Sequence, residues 1–413
     1  MTFLKWKRDQ LLNDLPKHVA RFYDIVGDDK IERWASHFAR KFCNGHLAVQ
    51  LAKERFPIEC GLVYVLCLNA NTKLQEILDC LQDPYNERAA NFLVSVSCVW
   101  PLLPVNGRKK LRGEIIKGLK DRNRGLLPLC LEFQTATNLI HRGFAVEFCD
   151  LESLASHDLN VRSGDLEFAV EVKTVFPFHP DLQISEVVRI YDIFERFVKD
   201  ADVTDDCFKH YEIALEKGSN TEARLRTVED FFITKNGSNC DNSIGSLQLS
   251  TICTQGSDRE GIVNELKQLV DRTSYSAFIL RPNGSGTGIS VSIRNEGDID
   301  MIVNRLKKTL SKAAAQISQV QKPSIVVLGF GQLTEENLVE LSRRSSTSTR
   351  VLEDIFASYF ARKTCCAAII VVSQQWYDPL GSRNSKRREV RILPYFNEKH
   401  PQKSAVEDLI GTD

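Results

Sequence analysis

The sequence of 413 residues lacks three features that would assign it quickly to a class of proteins. Its 54 Lys and Arg residues equal its 54 Asp and Glu residues in number, so binding to nucleic acid must come from a local basic patch. Its 12 cysteines include no Cys-x-x-Cys pair and no Cys/His cluster at the spacing of a zinc site. Most of them lie in apolar runs, which is typical of reduced thiols in a reducing compartment.

The chain also lacks a long hydrophobic run. The longest apolar stretch, from Ile58 to Ala70, is too short to span a bilayer and contains Glu59. The first ten residues include no hydrophobic core of a signal peptide. With 43% hydrophobic and 26% charged residues, the composition is that of an ordinary globular protein. We therefore expect a soluble, cytoplasmic protein that makes no membrane contact.

Hydrophobic patterning predicts a multidomain protein that combines α and α/β parts. Residues 1–125 place apolar side chains at helical spacing between short breakers and predict an all-helical accessory domain without a chemical motif. Residues 126–176 and 299–413 predict the two halves of a mixed-sheet α/β core. Residues 177–298 predict an insertion of helices and a small sheet, with a flexible loop at 235–243.

Proline, glycine and turn residues divide the two core halves further into helices and strands. A helix follows Pro128 and ends at Gly143, which we expect in a left-handed conformation. Turn residues at 162–165 predict a four-residue hairpin turn with positive φ at Gly164. The predicted strands are Phe144–Phe148, Asp158–Val161, Leu166–Val175, Ser324–Phe330 and Ala367–Ser373, and the predicted later helices are 302–320 and 351–361. In the insertion, helices are predicted over 182–216 and strands at 246–253, 276–281 and 288–294.

One strand carries an anomaly. Glu171 and Lys173 lie two positions apart in an apolar, β-branched run, so a strand must present both side chains on one face. Opposite charges in such a strand are costly unless they meet a metal ion or a reacting group. The plainer alternative is an ion pair on an edge strand.

The residues around this strand resemble a known family. Glu132, the run Gly143-Phe144-Ala145-Val146, Asp158 and the triplet Glu171-Val172-Lys173 follow one another in the order seen in the PD-(D/E)XK nuclease superfamily. This group includes restriction endonucleases and archaeal Holliday-junction resolvases. The resemblance covers residues 126–176 closely and the elements between 300 and 375 by pattern only. His157 stands where the proline of the motif would precede the aspartate.

The resemblance implies a restriction-endonuclease-like core and Mg²⁺-dependent hydrolysis of phosphodiester bonds in DNA. Asp158 and Glu171 offer the hard oxygen ligands that Mg²⁺ or Mn²⁺ prefers, and the Val172 carbonyl and waters would complete the coordination. Such an ion would stabilise charge on the phosphate and lower the pKa of a water. Lys173 would orient that water and neutralise charge in the transition state. Glu132, on the helix, would bind a metal-bound water or orient the residues that hold the ion.

Other polar residues compete for these roles. Asp165 sits in the hairpin turn and is expected to project away, whereas Asp150 and Glu152 could reach the site from their loop. Gln316 is expected at a helix margin, with a place in the lining of the site as its alternative. His157 and His179 are expected to be ordinary loop residues, because an activated water in this scheme requires no imidazole.

Two basic clusters, at 108–124 and 383–391, are candidates for contacts with DNA phosphates, although each could be a solvated surface. The helical segment 1–125 is a candidate surface for a protein partner, and a second copy of the chain is a candidate for a homodimer. Two alternatives to a DNA nuclease remain open, namely a non-catalytic nuclease-like module for binding or assembly and an enzyme that acts on RNA. A role in a defence system rests on analogy alone.

Overall fold

A computed structural model of the chain describes residues 8–42, 56–121, 124–175, 184–200, 207–216, 220–234, 236–253, 275–280, 288–294, 298–318, 320, 322–330, 351–372 and 392–410. The chain divides into two compact units. The first comprises residues 1–44, 52–177 and 301–413, and the second comprises residues 45–51 and 178–300. Among the described residues, no helix is both long enough and apolar enough to cross a membrane.

The α-helices of the described residues are α1 (Arg8–Val26), α2 (Asp28–Phe42), α3 (Pro57–Val65), α4 (Leu74–Cys80), α5 (Pro84–Val99), α6 (Val105–Lys120), α7 (Leu127–His141), α8 (Cys149–Glu152), α9 (Ile184–Asp200), α10 (Thr221–Glu229), α11 (Asp298–Ile317), α12 (Val351–Arg362) and α13 (Lys403–Ile410). The strands are β1 (Ala145–Phe148), β2 (Leu159–Ser163), β3 (Leu166–Val175), β4 (Cys207–Leu215), β5 (Cys240–Asn242), β6 (Gly245–Cys253), β7 (Tyr275–Leu280), β8 (Gly288–Arg294), β9 (Ser324–Phe330), β10 (Cys366–Val372) and β11 (Ile392–Phe396). Short 3₁₀ and π turns lie at Trp100–Leu102 and Asp230–Thr234.

The first unit contains a mixed sheet in the order β1-β2-β3-β9-β10-β11. The first three strands form an antiparallel meander, β3, β9 and β10 run parallel, and β11 returns antiparallel at the edge. Strands β9 and β10 are buried along their whole length, as apolar parallel strands usually are. The chain is therefore a mixed α/β protein, as predicted.

The amino-terminal helices and this sheet share one hydrophobic core. Phe133 of α7 links them, because its ring lies 6.4 Å from that of Phe92 on α5 and 6.5 Å from that of Phe148 at the end of β1. The helices predicted as a separate accessory domain thus pack in the same compact unit as the sheet. The bounds of the predicted insertion, 177–298, agree to within a few residues with the main segment of the second unit, 178–300.

The second unit contains a sheet of described strands in the order β5-β6-β4-β8-β7. The helices predicted over 182–216 are right for α9 and wrong for Cys207–Leu215, which form the central strand β4. Its buried apolar residues alternate at Tyr211, Ile213 and Leu215, which is a strand period of two. The flexible loop predicted at 235–243 is also wrong in part, because Cys240–Asn242 form β5 and pair with β6.

The core elements match their predicted positions closely. Strands β3 and β9 and helix α11 agree to within a few residues, and Gly143 and Gly164 both have positive φ, at 90° and 59°. The hairpin turn is shorter than predicted, because Ser163 already pairs with Leu166 and only two residues connect the strands. Strand β2 begins at Leu159, one residue later than predicted, so Asp158 lies just before it.

Candidate active site

The hairpin of β2 and β3 fixes the position of Asp158. Its backbone carbonyl accepts a hydrogen bond of 2.9 Å from the Cys149 N–H, which continues the pairing of β1 with β2. Its carboxylate Oδ2 accepts a second hydrogen bond of 2.7 Å from the Val172 N–H. Because Val172 lies between Glu171 and Lys173 in the sequence, the Asp158 carboxylate is held beside the charged pair.

Glu171 and Lys173 meet on one face of β3, as the strand period predicts. The Lys173 Nζ donates a hydrogen bond to the Glu171 Oε1 and lies 3.8 Å from the Asp158 Oδ2. It also donates to the Val172 carbonyl at 3.4 Å. One ammonium group therefore lies within ion-pair distance of two carboxylates, one on β3 and one just before β2, and the predicted convergence of Asp158, Glu171 and Lys173 is present in the structure.

The cluster is buried at one end and open at the other. The Glu171 side chain is 0% exposed, whereas those of Asp158 and Lys173 are 12% and 22% exposed. The Glu171 Oε2 has no hydrogen-bond partner among the described residues. A buried carboxylate oxygen without a donor is costly, so this atom marks a place where an additional ligand would stabilise the site.

The charges of the cluster shift the pKa values of its members. Burial, with Asp158 nearby, raises the pKa of Glu171 to about 8 despite the ion pair with Lys173. Burial likewise raises the pKa of Asp158. Burial alone would lower the pKa of Lys173, but the carboxylates of Asp158 and Glu171 outweigh it and raise this pKa. Lys173 therefore stays charged at neutral pH, whereas Glu171 favours its neutral form there unless a further positive charge stabilises the carboxylate.

Glu132 joins the cluster from α7. Withdrawal of its carboxyl from water, followed by the charges of Asp158 and Asp150, raises its pKa well above the ordinary value. Asp150, on α8, is itself held by Lys110, whose Nζ donates to the Asp150 carbonyl at 2.5 Å and to its Oδ1 at 3.0 Å. The acids of the site thus include Asp150 as well as the three that the resemblance predicts.

Sequence reasoning missed several residues that position Asp158. Ser156 and Gln316 form two reciprocal hydrogen bonds, of 2.9 and 2.7 Å, between the loop before β2 and the end of α11. The ring Nε2 of His157 lies 2.8 Å from Asn160 Oδ1, and Asn160 donates to Glu147 at 3.0 Å. His157 lies in the loop before β2, as predicted, but its side chain is buried. For Ser156, His157 and Asn160 the sequence signal was their position beside Asp158, whereas Gln316 is 160 positions from Ser156.

The remaining competing residues other than Asp150 lie at the far end of the hairpin, at the end of α8 or outside the described part of the chain. Asp165 is exposed in the turn, at the end of the hairpin remote from Asp158, as predicted. Glu152 is the last residue of α8. His179 lies outside the described residues, as does the basic segment 383–391.

The first basic cluster is used partly for internal contacts. Arg108 donates to the carbonyls of Trp100 and Pro101 at 3.0 and 3.1 Å, and Arg112 donates to the Val26 carbonyl at 3.3 Å. Together with Lys110, these side chains tie α6 to its neighbours. The exposed lysines of α6 remain candidates for phosphate contacts.

The described residues contain no group of three or more His, Cys, Asp and Glu side chains already arranged to hold a metal ion. The chain matches no model of a protein family, no curated protein and no solved structure to a significant degree.

Proposed function

We propose that this chain is a metal-dependent nuclease of the PD-(D/E)XK type that hydrolyses phosphodiester bonds of DNA. The observation that carries the proposal is the convergence of Asp158 and Glu171 on the ammonium of Lys173. Two buried acids and one lysine, supplied by β3 and by the residue just before β2, are the side chains that the family resemblance requires. The meander β1-β2-β3 followed by parallel β9 and β10 supports a nuclease-like core.

The residues present fit a divalent cation. Mg²⁺ is held in many proteins by one or two carboxylates and several waters, so a ready-made cluster of three protein ligands is not required. Asp158 and Glu171 would hold the ion, and the Val172 carbonyl is the third candidate ligand. The unpartnered Glu171 Oε2 is the atom that most needs such a partner. A bound Mg²⁺ or Mn²⁺ would supply positive charge to the phosphate and acidify a water.

Lys173 supplies the remaining charge. Its raised pKa keeps the ammonium protonated at neutral pH, and its partly exposed Nζ can donate a hydrogen bond to the attacking water or to a phosphate oxygen. The charge of Asp150 lies beside the carboxylates and favours a cation over an anion at the cluster. Burial favours the neutral form of Glu132, which can donate a proton or a hydrogen bond.

DNA is favoured over RNA by the resemblance, and the pairing of Lys110 with Asp150 connects the basic helix α6 to the acids of the site. A non-catalytic module is supported by one observation. The ammonium of Lys173 already compensates Glu171 and Asp158, so the cluster is a consistent buried ion pair even without a cation.

Cleavage assays separate these functions. The full chain, incubated with supercoiled plasmid, linear duplex and RNA of matching sequence, is expected to cleave DNA in Mg²⁺ and to lose all cleavage in EDTA. The Glu171→Gln variant, purified in the same way, controls for contaminating nucleases and is expected to be inactive. Binding of DNA without cleavage by the wild type in Mg²⁺ or Mn²⁺ would favour the module, and cleavage of RNA alone would favour the third function.

A further inference from the structure

A second candidate site lies among the amino-terminal helices of the first unit. It is a cavity of about 610 Å³ between α2, α3 and the end of α6. This volume falls within the range of small-molecule sites. The lining residues, between Val26 and Asp121, include no member of the carboxylate cluster. Its lining combines aromatic rings, one buried acid and exposed cations.

The acid is Glu59, which is 2% exposed and is the charged residue of an otherwise apolar helix, α3. Its Oε1 accepts a hydrogen bond of 2.5 Å from the Leu126 N–H. Its Oε2 is buried and has no hydrogen-bond partner among the described residues. Gly125, with φ of +58°, makes room for this arrangement, because a Cβ there would lie 2.2 Å from the Oε1. Glu59 thus lines the cavity and carries a buried carboxyl oxygen without a partner among the described residues.

Three aromatic side chains form the adjacent wall. The ring of Phe38 lies 5.4 Å from that of Trp34 and 6.1 Å from that of Phe56. Trp34 is only partly buried, so part of its indole surface stays available. A planar ring entering the cavity can pack against these faces.

Exposed cations surround this wall. Lys30 and Arg33 share a face of α2 with Trp34, because residues three and four apart are neighbours on a helix. Lys120, the last residue of α6, lines the cavity from the other side. Asp121 is the acid beside it. The exposed lining is therefore mainly positive, while the buried acceptor is an acid.

We infer that this cavity binds a nucleotide, with the base against Trp34 and Phe38, an N–H edge of the base donating to Glu59, and the phosphate near Lys30 and Lys120. A simple cation would satisfy Glu59 but would be repelled by the lysines and the arginine. A simple anion would satisfy the lysines but not the buried acceptor or the aromatic wall. Guanine fits best, because its N1–H and its amino group are adjacent donors and either can donate to the Oε2 of Glu59 while Oε1 keeps its hydrogen bond from the Leu126 N–H.

The test is calorimetric titration of the full chain, in EDTA, with the monophosphates of guanosine, adenosine, cytidine and uridine. Guanosine monophosphate is expected to bind most tightly, and to bind more tightly than guanosine. In Glu59→Gln its dissociation constant is expected to rise at least about tenfold, because a charge-assisted hydrogen bond is lost. In Lys120→Ala it is expected to rise about fivefold, since one phosphate contact is removed.

The matched control is Lys117→Ala, which removes one charge from the same helix at an exposed lysine that pairs with Glu114. This variant is expected to bind guanosine monophosphate like the wild type. The inference fails if none of the four nucleotides binds, if Glu59→Gln and Lys120→Ala bind as the wild type does, or if L-tryptophan binds and the nucleotides do not. Because Lys120 is exposed, its variant tests the site even if Glu59→Gln misfolds. The titration involves no cleavage, so its outcome is independent of the proposed nuclease function. Either proposal can fail while the other stands.

Discussion

Replacing Lys173 with alanine is expected to lower Mg²⁺-dependent DNA cleavage by about a thousandfold or more. Its ammonium is the positive group that the chain itself places at the two carboxylates, 3.8 Å from Asp158 Oδ2 and in contact with Glu171. Loss of one preorganised electrostatic donor costs about 10²–10³ in rate. Loss of the group that orients the attacking water lowers the rate further. The measurement is the initial rate of plasmid cleavage at saturating Mg²⁺.

The control for this variant is Lys322→Ala. Lys322 also pairs with an acid of β3, because its Nζ lies 2.6 Å from Glu167 Oε1, but both side chains are about one-third exposed and lie outside the cluster. A surface pair of this kind contributes little, so activity should stay near that of the wild type. Retention of more than a tenth of wild-type cleavage by Lys173→Ala would contradict the role assigned to Lys173. Because Lys173 is not a proposed ligand, its variant should still bind Mn²⁺.

Replacing Glu59 with glutamine is expected to remove a large pH dependence from the stability of the protein. Burial raises the pKa of Glu59 from 4.5 to about 7, against the opposing effect of its backbone hydrogen bonds. A raised pKa means that the folded state favours the neutral acid. The resulting stabilisation is complete below pH 4.5, falls as the pH rises from 4.5 to about 7, and is absent above that range. It amounts to roughly 3 kcal/mol, since each pKa unit corresponds to about 1.4 kcal/mol.

Glutamine is neutral at every pH, so the variant should match the wild type near pH 5 and exceed it near pH 8. The measurement is the free energy of unfolding from denaturant titrations at both pH values. The raised pKa values of Glu171, Asp158 and Glu132 add a slope of the same sign, but wild type and variant share it, so their difference isolates Glu59. Equal slopes in the two proteins would show that Glu59 is not buried as described.

The sequence predicted the parts of the fold that depend on local patterns. Strands β3, β9 and β10 are apolar runs, and α11 has a clear helical period, so their bounds agree closely. Strand β4 was missed because its period-two alternation followed directly on the strong helical pattern of α9. Strand β11 was missed because it contains Pro394, which an edge strand tolerates.

The contacts of the candidate site also divide into those that a local pattern predicts and those that depend on tertiary packing. That Glu171 and Lys173 share a face follows from the strand period alone. That Asp158 reaches them depends on the register of the hairpin and on its hydrogen bond to the Val172 N–H, which only the pairing of β2 with β3 reveals. The support from Gln316 joins residues 160 positions apart, and no local pattern predicts such a contact. The cavity at Glu59 is likewise formed by helices distant in sequence.

The most direct test of the proposed function is Mn²⁺ binding, measured by calorimetry and by electron paramagnetic resonance on the full chain. The wild type is expected to bind one Mn²⁺ at the carboxylate cluster, and Mg²⁺ should compete for it. Asp158→Asn should weaken binding at least about tenfold, because it removes a charged ligand without changing the size of the side chain. Lys322→Ala should bind as the wild type does. Absence of Mn²⁺ binding, or equal binding by Asp158→Asn and the wild type, would contradict a metal-dependent nuclease at this site.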